Sequence, residues 1–126
     1  GRAAAKFDDV MNFLPSRISG ILMVLAAPLV KLDGKNAWKI FKRDRLCHAS
    51  PNSAQTESVM AGALQVQLAG DAWYFGKKHE KPTIGDPIRP VEIADIARAN
   101  RLLYAASALG MIVFNGIKII LLLLLL

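Results

Sequence analysis

The chain has 126 residues, with 16 Lys plus Arg against 10 Asp plus Glu (net +6), two His, one Cys and a mean hydropathy of +0.32. That length fits one domain at most, and a charged fraction of 21% is too high for a chain lying wholly in lipid, so its 53% of apolar residues must be concentrated locally. A single cysteine, Cys47, excludes an internal disulfide, and no Cys/His cluster has zinc-site spacing, so stability must come from burial in protein or lipid.

The chain starts at Gly1-Arg2-Ala3 with neither an initiator Met nor a signal-peptide pattern, which is expected of a fragment of a longer protein. The first apolar segment runs from Met11 to Val30, about the length that spans a bilayer core, with Arg17 and Pro28 inside it. Gly34 to Arg45 has Trp38 and Phe41 one helical turn apart among Lys35, Lys39, Lys42 and Arg43, the pattern of a basic amphipathic helix lying in the membrane interface. A second helix is expected from Pro51, with Ser50 as N-cap, an apolar face of Met60, Leu64 and Leu68, and Gly70 as its end. Ala61, Gly62 and Ala63 would let another helix approach closely.

Residues 71–90 read as loop, with turn chemistry at Ile84-Gly85-Asp86-Pro87 and an aromatic triplet, Trp73-Tyr74-Phe75, beside a lysine-rich run; an interfacial aromatic belt is the simpler reading of the triplet. From Val91 a helix resumes, with Glu92 and Asp95 early and Arg98 and Arg101 later, and runs into a second membrane segment, Leu102 to Leu126, whose only charge is Lys118. The fold class is therefore all-α: an integral membrane protein with two membrane-embedded helical segments, about 11–30 and 102–126, around a helical, loop-rich region. That region, 31–101, holds 12 basic and 8 acidic residues, which favours its cytoplasmic placement in a multi-pass cell-membrane protein. No nucleic-acid partner is expected.

Phosphate-loop, dinucleotide, HExxH and GxSxG signatures are absent, so any chemistry rests on scattered polar residues. Asp8, Asp9 and Asn12 have the three- and four-residue spacing that puts oxygen ligands on one helix face beside Arg17, a set suited to Mg²⁺ carried with substrate phosphates. The same acids also suit the first turn of a membrane-entering helix, and spacing leaves both readings open. Arg43, Asp44, His48, Ser50, Asn52 and Glu57 crowd around the expected helix start, where free N–H groups favour an anion. Each has a simpler reading: Ser50 as a plain cap, Arg43-Asp44 as a solvated pair, His48 as a surface residue.

The runs GRAAAKFDDVMNFLPSRI, FKRDRLCHASPNSAQTESVMAGALQVQLAGDAWYFG, KPTIGDPIRP and DIARANRLL resemble, in order and spacing, the C-terminal part of the CobD/CbiB family, adenosylcobinamide-phosphate synthase. The resemblance covers residues 1–110 and makes 1–126 part of one membrane domain; the terminal hexaleucine departs from it, as do Ala54, Thr56 and Ala69, which bear on helix packing. It implies a membrane ligase joining aminopropanol or its phosphate, or the ethanolamine counterparts, to a carboxylate of adenosylcobyric acid, with ATP and Mg²⁺. The resemblance does not assign the roles one by one; from the spacing and chemistry of the two clusters, Asp9, His48 and Glu57 are expected to be catalytic, Arg17, Arg43, Ser50 and Asn52 to bind substrate or phosphate, and Asp8, Asp9 and Asn12 to hold the metal. The alternative is a non-catalytic corrinoid-binding or regulatory membrane protein.

Overall fold

The computed structural model describes residues 1–48, 50–80 and 82–126; Ala49 of the His48–Asn52 stretch and Lys81 of the lysine-rich run lie outside the described residues. The first helix, α1, spans Arg2–Ala26, favoured by its Ala-rich start and continued by a 3₁₀ turn, Ala27–Val30, that accommodates Pro28 at its beginning. Pro15 lies inside α1 and removes one backbone donor there. Lys31, in the left-handed conformation at φ 62°, ends the run.

Asp33 then turns the chain. Its Oδ1 accepts the Asn36 N–H at 2.9 Å to cap α2 (Gly34–Asp44), while its Oδ2 accepts from Gln65 Nε2 at 2.8 Å. These bonds hold its carboxyl below the usual carboxylate range, the capping bond to Asn36 first. Gln65, at φ 61°, ends α3 (Ser53–Leu64), so Asp33 ties the start of α2 to the end of α3. Ala37, Ile40 and Phe41 of α2 are buried in the protein, which corrects the expectation of an interfacial helix: the apolar face is covered by α3 and α1. Gly62 is the close contact. A Cβ there would lie 2.6 Å from the Asn36 carbonyl oxygen and 2.7 Å from Ala37 Cα, so the small-residue run does admit a neighbouring helix.

Two further expectations change. α3 begins at Ser53 with Asn52 in the cap position, rather than at Pro51, because Ser50 Oγ accepts the Asn52 N–H at 3.3 Å and folds Ser50-Pro51-Asn52 into a turn. It ends at Leu64, leaving Leu68 in a strand. Residues 68–84 are not all loop either, so the fold is mostly helical rather than all-α. β1 (Leu68–Ala69) pairs antiparallel with β4 (Thr83–Ile84), and β2 (Ala72–Tyr74) with β3 (Lys77–His79). Strands of two or three residues are too short to show alternation in sequence.

α4 (Asp95–Leu125) starts four residues later than expected and runs unbroken for 31 residues. It returns along α1: Leu102 and Ala106 join Met23, Ala26, Ala27, Phe41, Val59 and Ala63 in the main core, and Gly110 faces Leu22. Its start is anchored by Asp95, which accepts from Arg89, Arg98 and the Glu92 N–H. A second cluster packs Ala54 and Ala61 on Ile84. By length and composition, Arg2–Val30 and Asp95–Leu125 are long and apolar enough to cross a membrane.

Candidate functional site

Near its middle α1 presents Asp9, Ser16 and Arg17 to the turn that precedes α3. Asn52, 9% exposed, fills the junction. Its Nδ2 donates to the Asp9 carbonyl at 2.8 Å, and its Oδ1 accepts from Arg17 Nη1 at 3.1 Å and from Ser16 Oγ at 3.3 Å. Ser50 Oγ donates to Asp9 Oδ1 at 3.3 Å. Pro15 lacks the N–H that would meet the Met11 carbonyl, and next to it Arg17 Nη1 and Ser16 Oγ donate to the Phe13 carbonyl at 2.9 and 3.1 Å. Arg17 also stacks over the Phe13 ring at 3.5 Å.

The expected residues therefore divide. Asp9, Arg17, Ser50 and Asn52 form one hydrogen-bonded group although they come from positions about 40 residues apart. His48 adjoins it: its Nδ1 accepts the Ser50 N–H at 3.0 Å, which leaves the proton of the neutral ring on Nε2. Asp8 lies beside Asp9 in sequence but pairs with Asn12, whose Nδ2 donates to Asp8 Oδ1 at 2.9 Å on the exposed side of α1. Glu57 is half-buried in α3, and its side chain has no hydrogen bond or ion pair among the described residues.

Arg43 belongs to a second group. Its Nε and Nη2 clasp both oxygens of Asp44 at 2.8 Å, and its Nη1 reaches Asp86 at 2.9 Å. Asp44, 5% exposed, also accepts the Gly85 N–H at 2.8 Å, so its carboxylate is a buried structural acceptor while the Arg43 side chain stays 44% exposed. The guanidinium beside it, and then the Gly85 amide, hold the Asp44 carboxyl below the usual carboxylate range. Gly85 has φ 83° and a would-be Cβ 2.5 Å from Val66 O, which explains the glycine in Ile84-Gly85-Asp86. The sequence groups Asp44 with Arg43 in the polar cluster but does not single out Ser16 or Asp86. Only the turn chemistry around Gly85 hinted at the last.

Among the described residues no three His, Cys, Asp or Glu side chains are grouped to hold a metal by themselves. Asp8 is exposed and Asp9 half-exposed, and such a set fits Mg²⁺ held by one or two carboxylates with its other ligands from water and phosphate. A cavity of about 600 Å³ between α1 and α4 is lined mainly by apolar side chains such as Leu22, Met23 and Met111; Asp9, Arg17, Ser50 and Asn52 do not line it, and it has no bearing on this polar group.

Fold and site define a mostly helical protein with two membrane-length helices and a polar junction between the first of them and an interior helix start. The chain belongs to the CobD/CbiB family: the family model described as CobD/Cbib protein matches residues 1–103. It is 47% identical over 121 residues to a cobalamin biosynthesis protein CobD of Clostridium perfringens, covering 96% of this chain and 38% of that one. It is 50% identical over 109 residues to a CobD of Geobacter metallireducens (86% and 34%), and 46% identical over 114 to a cobalamin biosynthesis protein CbiB of Salmonella arizonae (90% and 36%). The chain thus spans little more than a third of the length of these relatives. No solved structure matches it.

Proposed function

We propose that this chain is part of an integral membrane enzyme of cobalamin biosynthesis, one that joins the amine of aminopropanol phosphate, or a related amino alcohol, to a carboxylate of adenosylcobyric acid. α4 crosses the membrane with α1 embedded beside it, and the Asn52 junction faces the cytoplasm together with residues 31–101, where ATP is found. Family membership and the relatives' names support the pathway. The observation that carries the site is the Asn52 junction, which draws the Asp-Asp-x-x-Asn segment of α1 and the His-x-Ser-Pro-Asn segment before α3 into one hydrogen-bonded group.

In this reading ATP with Mg²⁺ supplies the activation of the carboxylate. Asp8 and Asp9 hold the metal, with Asn12 orienting Asp8. Arg17 binds phosphate: only its Nη1 is engaged in hydrogen bonds among the described residues, so further donors remain. The N–H groups at the start of α3 lie next to it and favour negative charge. Glu57 is the candidate base for the proton that the attacking ammonium must lose, and His48, whose Nδ1 is taken by the Ser50 N–H, offers its Nε2–H as a donor to a substrate oxygen. Arg43, compensated by two carboxylates, fixes the Gly85 loop against α2 and acts on the site through position.

Turnover by the full-length protein tests this. ADP release requiring both adenosylcobyric acid and an amino alcohol supports the ligase; tight corrinoid binding without ADP release assigns a carrier or regulatory role instead.

A further inference from the structure

The hairpin β2–β3 carries a feature the polar site does not use. Its two-residue turn is Phe75-Gly76, with φ 53° and 75°. A turn with both central residues left-handed suits Asn-Gly or Gly-Gly, and a bulky aromatic at its first position is disfavoured. Phe75 gains nothing in exchange from this chain, since it is fully exposed (106%), and Trp73 is 70% exposed. A strained, solvent-facing aromatic at a turn points to an external contact.

The register says what kind. Trp73 pairs with Lys78 and Tyr74 with Lys77, so an aromatic strand lies opposite a cationic one. Residues directly opposite share a face, which puts Trp73 beside Lys78; that lysine also lies 3.3 Å from Asp71. Lysine is depleted from the desolvated centres of protein interfaces, whereas aromatic rings beside lysines are the composition of the lipid headgroup layer.

We propose that the hairpin Ala72–His79 docks on the headgroup layer of the bilayer, with Phe75 and Trp73 entering it and Lys77 and Lys78 meeting lipid phosphates. This rests on the reading that α1 and α4 lie in that bilayer. It is tested on the full-length protein with other cysteines removed, spin-labelled at Phe75→Cys or Ile120→Cys and reconstituted in vesicles of phosphatidylethanolamine and phosphatidylglycerol. The expected ratio of oxygen to water-soluble nickel-chelate accessibility at position 75 is several-fold above that of a nitroxide free in buffer and below that at position 120. A lipid-like value at 120 with a buffer-like value at 75 overturns the docking alone, whereas a buffer-like value at 120 overturns the membrane reading of α4. A label at 75 shielded from both reagents means a protein covers the hairpin, which also overturns it. As a check that spares Phe75, lipid brominated near the headgroup should quench more emission from the wild type than from Trp73→Phe; equal quenching overturns the proposal.

Discussion

Asn52 donates its side-chain amide to the carbonyl of Asp9 at 2.8 Å, across 43 positions of sequence. Its own oxygen accepts from Arg17 and Ser16, so one buried side chain holds both halves of the candidate site in register. Asn52→Ala leaves those groups without their partner and should destabilise the protein by about 1–3 kcal/mol. Ligase turnover should fall with it. Asn52→Asp separates the roles: the acceptor toward Arg17 survives, but the donor toward Asp9 is lost and a charge faces its carbonyl. Thermal unfolding and turnover of both variants check this, and wild-type values for Asn52→Asp would remove the junction from the mechanism.

Asp9→Asn keeps the shape and the acceptor toward Ser50 while deleting the negative charge. If Asp9 holds a magnesium nucleotide, activity should drop about tenfold to a hundredfold and more Mg²⁺ should be needed for half-maximal rate. A Mg²⁺ titration of turnover decides it; an unchanged midpoint would argue that Asp9 is a structural acceptor only.

Asp44 couples the second polar group to pH. Its carboxyl is held below the ordinary value of 3.8 by Arg43 first, so the stabilisation is fully present above that value and is lost as pH falls through the lower native one. Asp44→Asn should flatten the stability curve in that acidic window. Arg43→Lys keeps the charge but not the two-pronged bond, and should cost about 1–2 kcal/mol at neutral pH. Denaturant unfolding at a series of pH values measures both.

Packing offers a paired test. Gly62→Ala forces a methyl into backbone atoms of Asn36 and Ala37 and should destabilise by roughly 1–3 kcal/mol. At Gly116 nothing lies within 4 Å of a would-be Cβ, so Gly116→Ala should be neutral to slightly stabilising. Equal melting temperatures for the two variants would contradict the observed approach of α2 to α3.

Topology is open to a thiol reagent. With residues 31–101 cytoplasmic, a membrane-impermeant maleimide should leave Cys47 unlabelled in intact cells and label it in inverted vesicles. Cys47 is only half-buried, so labelling is feasible from the side it faces. Labelling of intact cells would reverse the orientation.

The long elements could be read from the chain alone because their signals are local. About twenty mostly apolar residues in a row make a membrane-length helix whatever surrounds them, and Ala61-Gly62-Ala63 declares a close helix contact without naming the partner. Family membership was legible for a similar reason, since ordered polar motifs such as Asp8-Asp9-x-x-Asn12 survive as strings. What those residues do to one another was not. Whether Ser50 caps a helix or bridges to Asp9, whether Arg43 is free for an anion or reaches across to Asp86, and whether the apolar face of α2 meets lipid or α3 all depend on contacts between positions 20 to 45 apart. Such pairs are chosen by how the helices pack: Gly62 sets how closely α2 approaches α3, and the packing of α3 on α1 brings Asn52 to Asp9. Side-chain chemistry supplied the donors and acceptors; only tertiary packing decided which of them meet.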